Sequence, residues 1–160
     1  MNNLNIQKWM PQKIVSGGQT GADRAALDWA LRHNIAHGGW CPKGRLASDG
    51  PLNVIYQLQE TESTGYRQRT KLNVVNSDAT LIFNMGEIDG GTLATLRFAE
   101  VLKKPHLVVQ LDNASNDEAS LQVITWLWHE KFSTLNVAGP REEKRSGIYS
   151  RTTDALECCR

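Results

Sequence analysis

Residues 13–33 read KIVSGGQTGADRAALDWALRH. A short apolar run, 13–17, ends in glycine and reads as a buried strand. Residues 21–33 then place Ala22, Ala26, Leu27, Ala30 and Leu31 on one helical face. Strand, glycine-rich turn and helix follow one another here, and the same order recurs along the chain. Residues 35–40 suggest a second, poorer strand, and 41–53 are rich in turn formers and read as a loop. A short strand is predicted at 58–63, and a helix at 66–78 from Leu72, Val75 and Ala79. ATLIFN, 79–84, is the clearest strand. A helix over 90–104 turns Leu93, Leu96, Ala99 and Leu102 inward and stops at Pro105. Strands at 106–111 and 134–139 flank a helix over 116–132, with Leu121, Ile124, Leu127, Trp128 and Lys131 along one side. A last helix, 146–159, aligns Ile148, Thr152, Ala155, Leu156 and Cys159. This alternation predicts an α/β fold: a three-layer, Rossmann-like, mostly parallel sheet with helices on both faces.

The 160 residues suit a single domain, 1–160, with residues 1–12 as an N-terminal extension. Lys and Arg number 18 against 17 Asp and Glu, a net charge of +1. That balance argues against a dedicated nucleic-acid or anionic-membrane binder. The apolar fraction of 40% is too high for a disordered chain. No apolar run approaches the ~18 residues of a membrane span, and MNNLNIQKWMPQK lacks a secretory apolar segment, so the expected compartment is the cytoplasm. Cys41, Cys158 and Cys159 form no disulfide framework, and His33, His37, His106 and His129 show no zinc spacing with them. No metal site is expected.

In sheets of this kind ligands bind beyond the carboxyl ends of strands, so the loops after strands carry the functional question. The first is Ser16 to Asp23. Gly17, Gly18 and Gly21 let backbone approach a ligand, and Gln19, Thr20 and Arg24 add polar groups. Asp23 suits a helix start but repels phosphate, so a hydroxyl or amine is its expected partner. The alternative is a capped tight turn. The second loop, Asn84 to Thr92, offers Gly90, Gly91 and the Thr92 hydroxyl to a phosphate, a reading the first loop strengthens; the alternative is an Asp-Gly turn with a Thr cap. The third runs from Gly139 to Gly147. Arg141 could fork onto an anion, or the charge run is a solvated turn. Lys43 and Arg45 are compatible with anion binding. Trp126 and Trp128 read as core and subunit contact.

Several blocks together carry a resemblance: SGGQTGADRAALDWA (16–30), GGWCPKGRLASDGPL (38–52), Tyr66 and Arg69-Thr70 leading into SDATLIF (77–83), DGGTLATLRFA (89–99) and LNVAGPRE with GIY (135–149). The chain resembles the molybdenum carrier family, also described as the circularly permuted YpsA-like branch of the SLOG superfamily, from about Lys13 to Leu156. The resemblance implies a permuted form of the LOG phosphoribohydrolase topology, with the LOG amino-terminal strand, loop and helix moved to the carboxyl end. It also implies that the three glycine-rich loops converge on one pocket. Arg69 matches the LOG arginine, and Thr70 stands where LOG has lysine. Gly90, Gly91 and Thr92 match the phosphate-binding turn, while Glu87-Ile88-Asp89 replaces its leading Pro-Gly. The LOG catalytic glutamate position holds Thr95.

The expected function is binding of a phosphate-bearing nucleotide-like or pterin-type small molecule. The family name implies the molybdenum cofactor as that ligand. The alternative is a nucleotide or nucleoside-phosphate hydrolase, with Asp23, Arg69 and Glu62 as candidate catalytic residues. Single-stranded nucleic-acid binding is a third reading that the charge disfavours. A homodimer or homotetramer is implied by the LOG resemblance.

Overall fold

The computed structural model describes residues 8–160. Residues 1–7 of the expected N-terminal extension lie outside the described residues. The rest of that extension is tied down: the Trp9 indole donates to the Phe132 carbonyl at 3.2 Å and the Gln12 N–H to the Ser133 carbonyl at 2.9 Å.

The chain runs β1 (Lys13–Val15), α1 (Ala22–Arg32), β2 (Ala36–Gly38), β3 (Trp40–Cys41), β4 (Leu46–Ala47), β5 (Gly50–Pro51), β6 (Gln59–Glu60), α2 (Tyr66–Val75), β7 (Ala79–Asn84), α3 (Gly90–Val101), β8 (His106–Gln110), α4 (Asn116–Glu130), β9 (Thr134–Ala138) and α5 (Ile148–Glu157). Five strands form one sheet in the order β2-β1-β9-β7-β8, parallel at every pairing. Numbered from β9 onward, as β9, β1, β2, β7, β8, that order reads 3-2-1-4-5, the start of the doubly wound Rossmann order. The last strand in sequence therefore occupies the position of the first, as a circular permutation requires. All six residues of β7 are buried, which is why its sequence reads most plainly as strand.

Alternation along the strands gives the sheet two different faces. Ile14, Leu81, Phe83, Val109, Leu135 and Val137 join Ala22, Ala26 and Trp29 of α1, Val123 and Leu127 of α4, and Ile148, Ala155 and Leu156 of α5 in the main apolar core. The residues between them point toward α2 and α3, and they include Thr80 and Asn136, whose amide donates to the Thr80 hydroxyl at 3.3 Å. A smaller core of Leu27, Cys41, Leu52 and Leu58 lies under the 41–58 segment.

The predicted stripe of α5 is buried throughout. Those of the middle helices are out of phase. In α3 the inward residues are Thr92, Thr95 and Ala99, while Leu93 and Leu96 are half-buried and Leu102 is exposed. In α2 the inward residues are Thr70, Asn73 and Val74, and Val75 is exposed. Both helices pack on the polar face, where hydroxyls and amides meet the sheet. In α4 the small residues Ala119 and Ser120 turn inward with Val123 and Leu127. Leu121 and Trp128 are exposed. Trp126 packs on the core against Phe132, whereas Trp128 carries Lys131 over its ring. The segment expected as loop over 41–53 contains the small β4–β5 hairpin, whose two-residue strands are too short for periodicity to reveal. No helix among the described residues is long and apolar enough to cross a membrane.

Candidate functional site

Strand order reverses between β9 and β7, since β9 leads to α5 on one face and β7 to α3 on the other. Loops leaving such strands diverge and open a crevice. A cleft of about 180 Å³ lies there. Its walls are Gln19 and Asp23 from the first glycine-rich loop and α1, Asp89 to Thr92 and Thr95 from the second loop and α3, Ala138 to Arg141 and Lys144 from β9 and the third loop, and Tyr66, Arg69 and Thr70 from α2. All three glycine-rich loops contribute.

Close backbone approach wires these loops together. Gly21 has φ +85°, and a Cβ there would sit 2.3 Å from the Pro140 carbonyl oxygen. Ala22 N–H donates to that same carbonyl at 3.3 Å. Arg145 donates through Nε to the Met85 carbonyl at 2.7 Å and through Nη2 to the Glu87 carbonyl at 3.1 Å, joining the third loop to the second. The Glu142 carboxylate accepts from Gly147 and Tyr149 N–H at 2.6 and 2.9 Å, capping α5.

At one end of the cleft Asp23 is 3% exposed. Its Oδ2 accepts from Arg69 Nη1 at 3.2 Å and from Gln19 N–H at 3.4 Å. A Cβ on Gly17 would come within 1.7 Å of Arg69 Nη1, so the pair requires glycine at that point. Burial pushes the Asp23 carboxyl above the ordinary aspartate value, although the Arg69 guanidinium, the Gln19 amide and the Arg24 charge pull it down. Arg69 Nε is buried with no hydrogen-bond partner among the described residues. The Tyr66 ring, at the start of α2, lies 5.5 Å from the Arg69 guanidinium and 6.0 Å from that of Arg141.

At the other end is the start of α3. Its N-cap residue, Asp89, makes no side-chain cap. A Cβ on Gly91 would meet nothing within 4 Å, so the space beside the helix start is open. Thr92 is 5% exposed, and its hydroxyl has no hydrogen-bond partner among the described residues. Thr95 bonds back to the Gly91 carbonyl at 3.0 Å. Asp89 instead pairs with Lys144 at 2.7 Å and Arg145 at 3.6 Å. The hydrogen bond from Lys144 holds its carboxyl below the usual range.

Of the expected ligand-binding residues, Gln19, Asp23, Arg69, Thr70, Gly90, Gly91, Thr92, Gly139 and Arg141 line the cleft. The others lie outside its lining. The Thr20 hydroxyl donates to the Glu143 carboxylate at 2.9 Å and meets the Ser48 hydroxyl at 3.1 Å. Arg24 forks onto Asp49 and the Gly18 carbonyl. Asn84 donates to the Gly86 carbonyl and Gln110. Gly17, Gly18 and Gly21 shape backbone rather than wall. Lys43 and Glu62 are exposed elsewhere, and Arg45 holds four carbonyls of the 52–58 segment. Sequence reasoning passed over Tyr66 and Lys144. Tyr66 stands three residues before Arg69 on a helix, a spacing that places both on one side. Lys144 sat within a charge run that reads as a solvated turn.

The model of the circularly permutated YpsA SLOG family matches residues 14–160. The chain belongs to that family. A crystal structure named "Putative molybdenum carrier protein", from Syntrophus aciditrophicus SB, is 48% identical, covering 95% of this chain and 96% of that one, with a TM-score of 0.93. No curated protein matches the chain. The family carries the permutation read from the strand order, and the neighbour shares the whole α/β architecture.

Proposed function

We propose that the cleft binds a phosphate-bearing small molecule, with the phosphoryl group at the start of α3. The single observation that carries this reading is Thr92, a 5% exposed residue of the cleft wall whose hydroxyl has no partner among the described residues, beside the uncapped first turn of a helix. Backbone N–H groups at such a turn, with the helix dipole behind them, attract anions. Arg69, Arg141 and Lys144 add positive charge. The cleft is smaller than the ~300–1,000 Å³ of pockets that enclose a whole ligand. It therefore holds the phosphate end and leaves a ring system at the mouth, beside Tyr66 and Arg141.

The neighbour's name speaks of a molybdenum carrier, which is consistent with the molybdenum cofactor as ligand, and a nucleotide has the same phosphate chemistry. The donor set fits the phosphate and pterin of that cofactor rather than bare metal. No cysteine lines the cleft, and no group of three or more His, Cys, Asp or Glu among the described residues could hold a metal ion. Molybdenum would be carried on its own pterin dithiolene. Gln19, Gly90, Gly91, Thr92, Gly139 and Arg141 are the proposed contacts, with Asp23 and Thr70 facing hydroxyl or amine groups.

A second reading is hydrolysis of a nucleotide or nucleoside phosphate. The buried Asp23 favours it, since burial pushes its carboxyl above the ordinary aspartate value, the direction a general acid needs. The matching position for the LOG glutamate, Thr95, is occupied by its bond to Gly91. Product analysis with Asp23→Asn separates the readings: retained binding with lost turnover marks an enzyme. The LOG resemblance further implies a homodimer or homotetramer, which light scattering after gel filtration checks.

A thermal-shift panel of nucleotides, nucleotide sugars and pterin phosphates tests the main reading. A ligand at ~100 times its Kd adds about 2.7 kcal/mol, a rise of roughly 5–10 °C at this size. Thr92→Val should abolish the shift. A shift that survives it, or none across the panel, contradicts the phosphate site.

A further inference from the structure

The cations around the cleft are already committed. Arg69 is paired with Asp23, and Lys144 with Asp89. Arg141 alone among the lining cations has no hydrogen bond or ion pair among the described residues. Lys144 is also placed unusually. A Cβ on Gly90 would lie 2.9 Å from its ammonium, so the charge sits over the first turn of α3. A cation at a helix N-terminus is unfavourable. Asp89 is what holds it there. This carboxylate is next to the amides that would receive a phosphoryl group, in a wall of the same cleft.

Resting on the reading of the cleft as a phosphate site, we propose that Asp89 sets the charge selectivity of this protein: it admits a single phosphoryl group and excludes pyrophosphate and longer polyphosphates. A phosphoryl group on the α3 amides and the Thr92 hydroxyl can be neutralised by the helix end and Arg141. A second group attached to the first has no further free cation to meet. It must instead approach the ionised Asp89 at one end, which repels it, or the buried Asp23 already paired with Arg69 at the other. Asp89 is the stronger barrier because it stays ionised under its bond from Lys144, whereas burial favours the neutral form of Asp23. Asp89 makes no cap hydrogen bond in α3, so its carboxylate is not needed to start the helix. Its isosteric amide would keep the shape of the wall, remove the charge and release Lys144 to the ligand.

The experiment is calorimetric titration of inorganic phosphate and of pyrophosphate into the wild-type protein and Asp89→Asn, with melting temperatures as a check on folding. The wild type should bind phosphate at least as tightly as pyrophosphate. Asp89→Asn should bind both anions more tightly, with a gain for pyrophosphate at least tenfold larger than the gain for phosphate. Lys144→Met in the Asp89→Asn background should cancel most of that gain. A wild-type preference for pyrophosphate, an equal gain for both anions, or a loss for both would overturn the selectivity proposal while leaving the phosphate site standing. Binding of neither anion by either protein would overturn the phosphate site itself, and the selectivity with it.

Discussion

On the side of α1, α4 and α5 the sheet presents Ile14, Leu81, Phe83, Val109, Leu135 and Val137 to a continuous apolar core. On the side of α2 and α3 the alternate residues include Thr80, Asn136 and Ala138, and the facing helices turn in Thr70, Asn73, Thr92 and Thr95. The first face gains from removing apolar surface from water. The second carries buried hydroxyls and amides whose burial costs free energy unless each finds a partner. That cost is met locally for Thr70, Thr95 and Asn73, which bond to the Tyr66 and Gly91 carbonyls and to Trp40. At the cleft, the Thr92 hydroxyl and Arg69 Nε find no partner among the described residues. Stability is thus concentrated on one face, and the proposed ligand chemistry on the other.

Substitutions on the two faces should separate those roles. The largest effect is expected from Phe83→Ala, which empties a fully buried site in the apolar core. It should cost about 3–5 kcal/mol in urea unfolding. Gly17→Ala should cost less, roughly 1–3 kcal/mol for displacing a buried ion pair, yet weaken ligand binding tenfold or more, because the new methyl evicts Arg69 from Asp23. If Phe83→Ala harmed binding as selectively as Gly17→Ala, the division between the faces would fail.

The Asp23 carboxyl sharpens the comparison through pH. Its folded-state pKa is raised by burial. The folded protein therefore holds this proton more tightly than the unfolded chain, and its contribution is full below the unfolded value of about 3.9. That contribution is lost as pH rises through the folded value. Asp23→Asn removes this term, so the melting temperature of the variant relative to wild type should climb as pH rises above about 4. A difference that falls with rising pH would show that Arg69 outweighs burial. The smallest effect is expected from Trp128→Ala, about 0.5–1 kcal/mol, because this residue is exposed and its ring carries Lys131 at 5.1 Å.

The same contrast explains what the sequence makes legible. Apolar periodicity locates core where apolar residues make the core. It places Ile148, Thr152, Ala155 and Leu156 of α5, and Cys159 just beyond it, correctly inward. It misreads α3, where leucines face outward and threonines inward, because the layer beneath is polar. Glycine-rich turns after strands announce the cleft, since Gly21 and Gly139 are demanded by backbone contacts across loops. The partners of individual polar groups are set by tertiary geometry and carry no such signal. Thr20 and Arg24 read as ligand contacts, yet Glu143 and Asp49, distant in sequence, take them up. Lys144 reads as a surface charge, yet it stands over the helix that begins at Gly90.

The most direct test is an amide-resolved NMR titration of the folded protein with inorganic phosphate. The largest shifts should fall on the Gly91 and Thr92 amides, with little change at Val123, Leu135 or Ala155 on the apolar face. Shifts centred on Lys43 or spread over the apolar face, or no shift at the start of α3, would contradict the assignment of the polar face as the ligand-binding one.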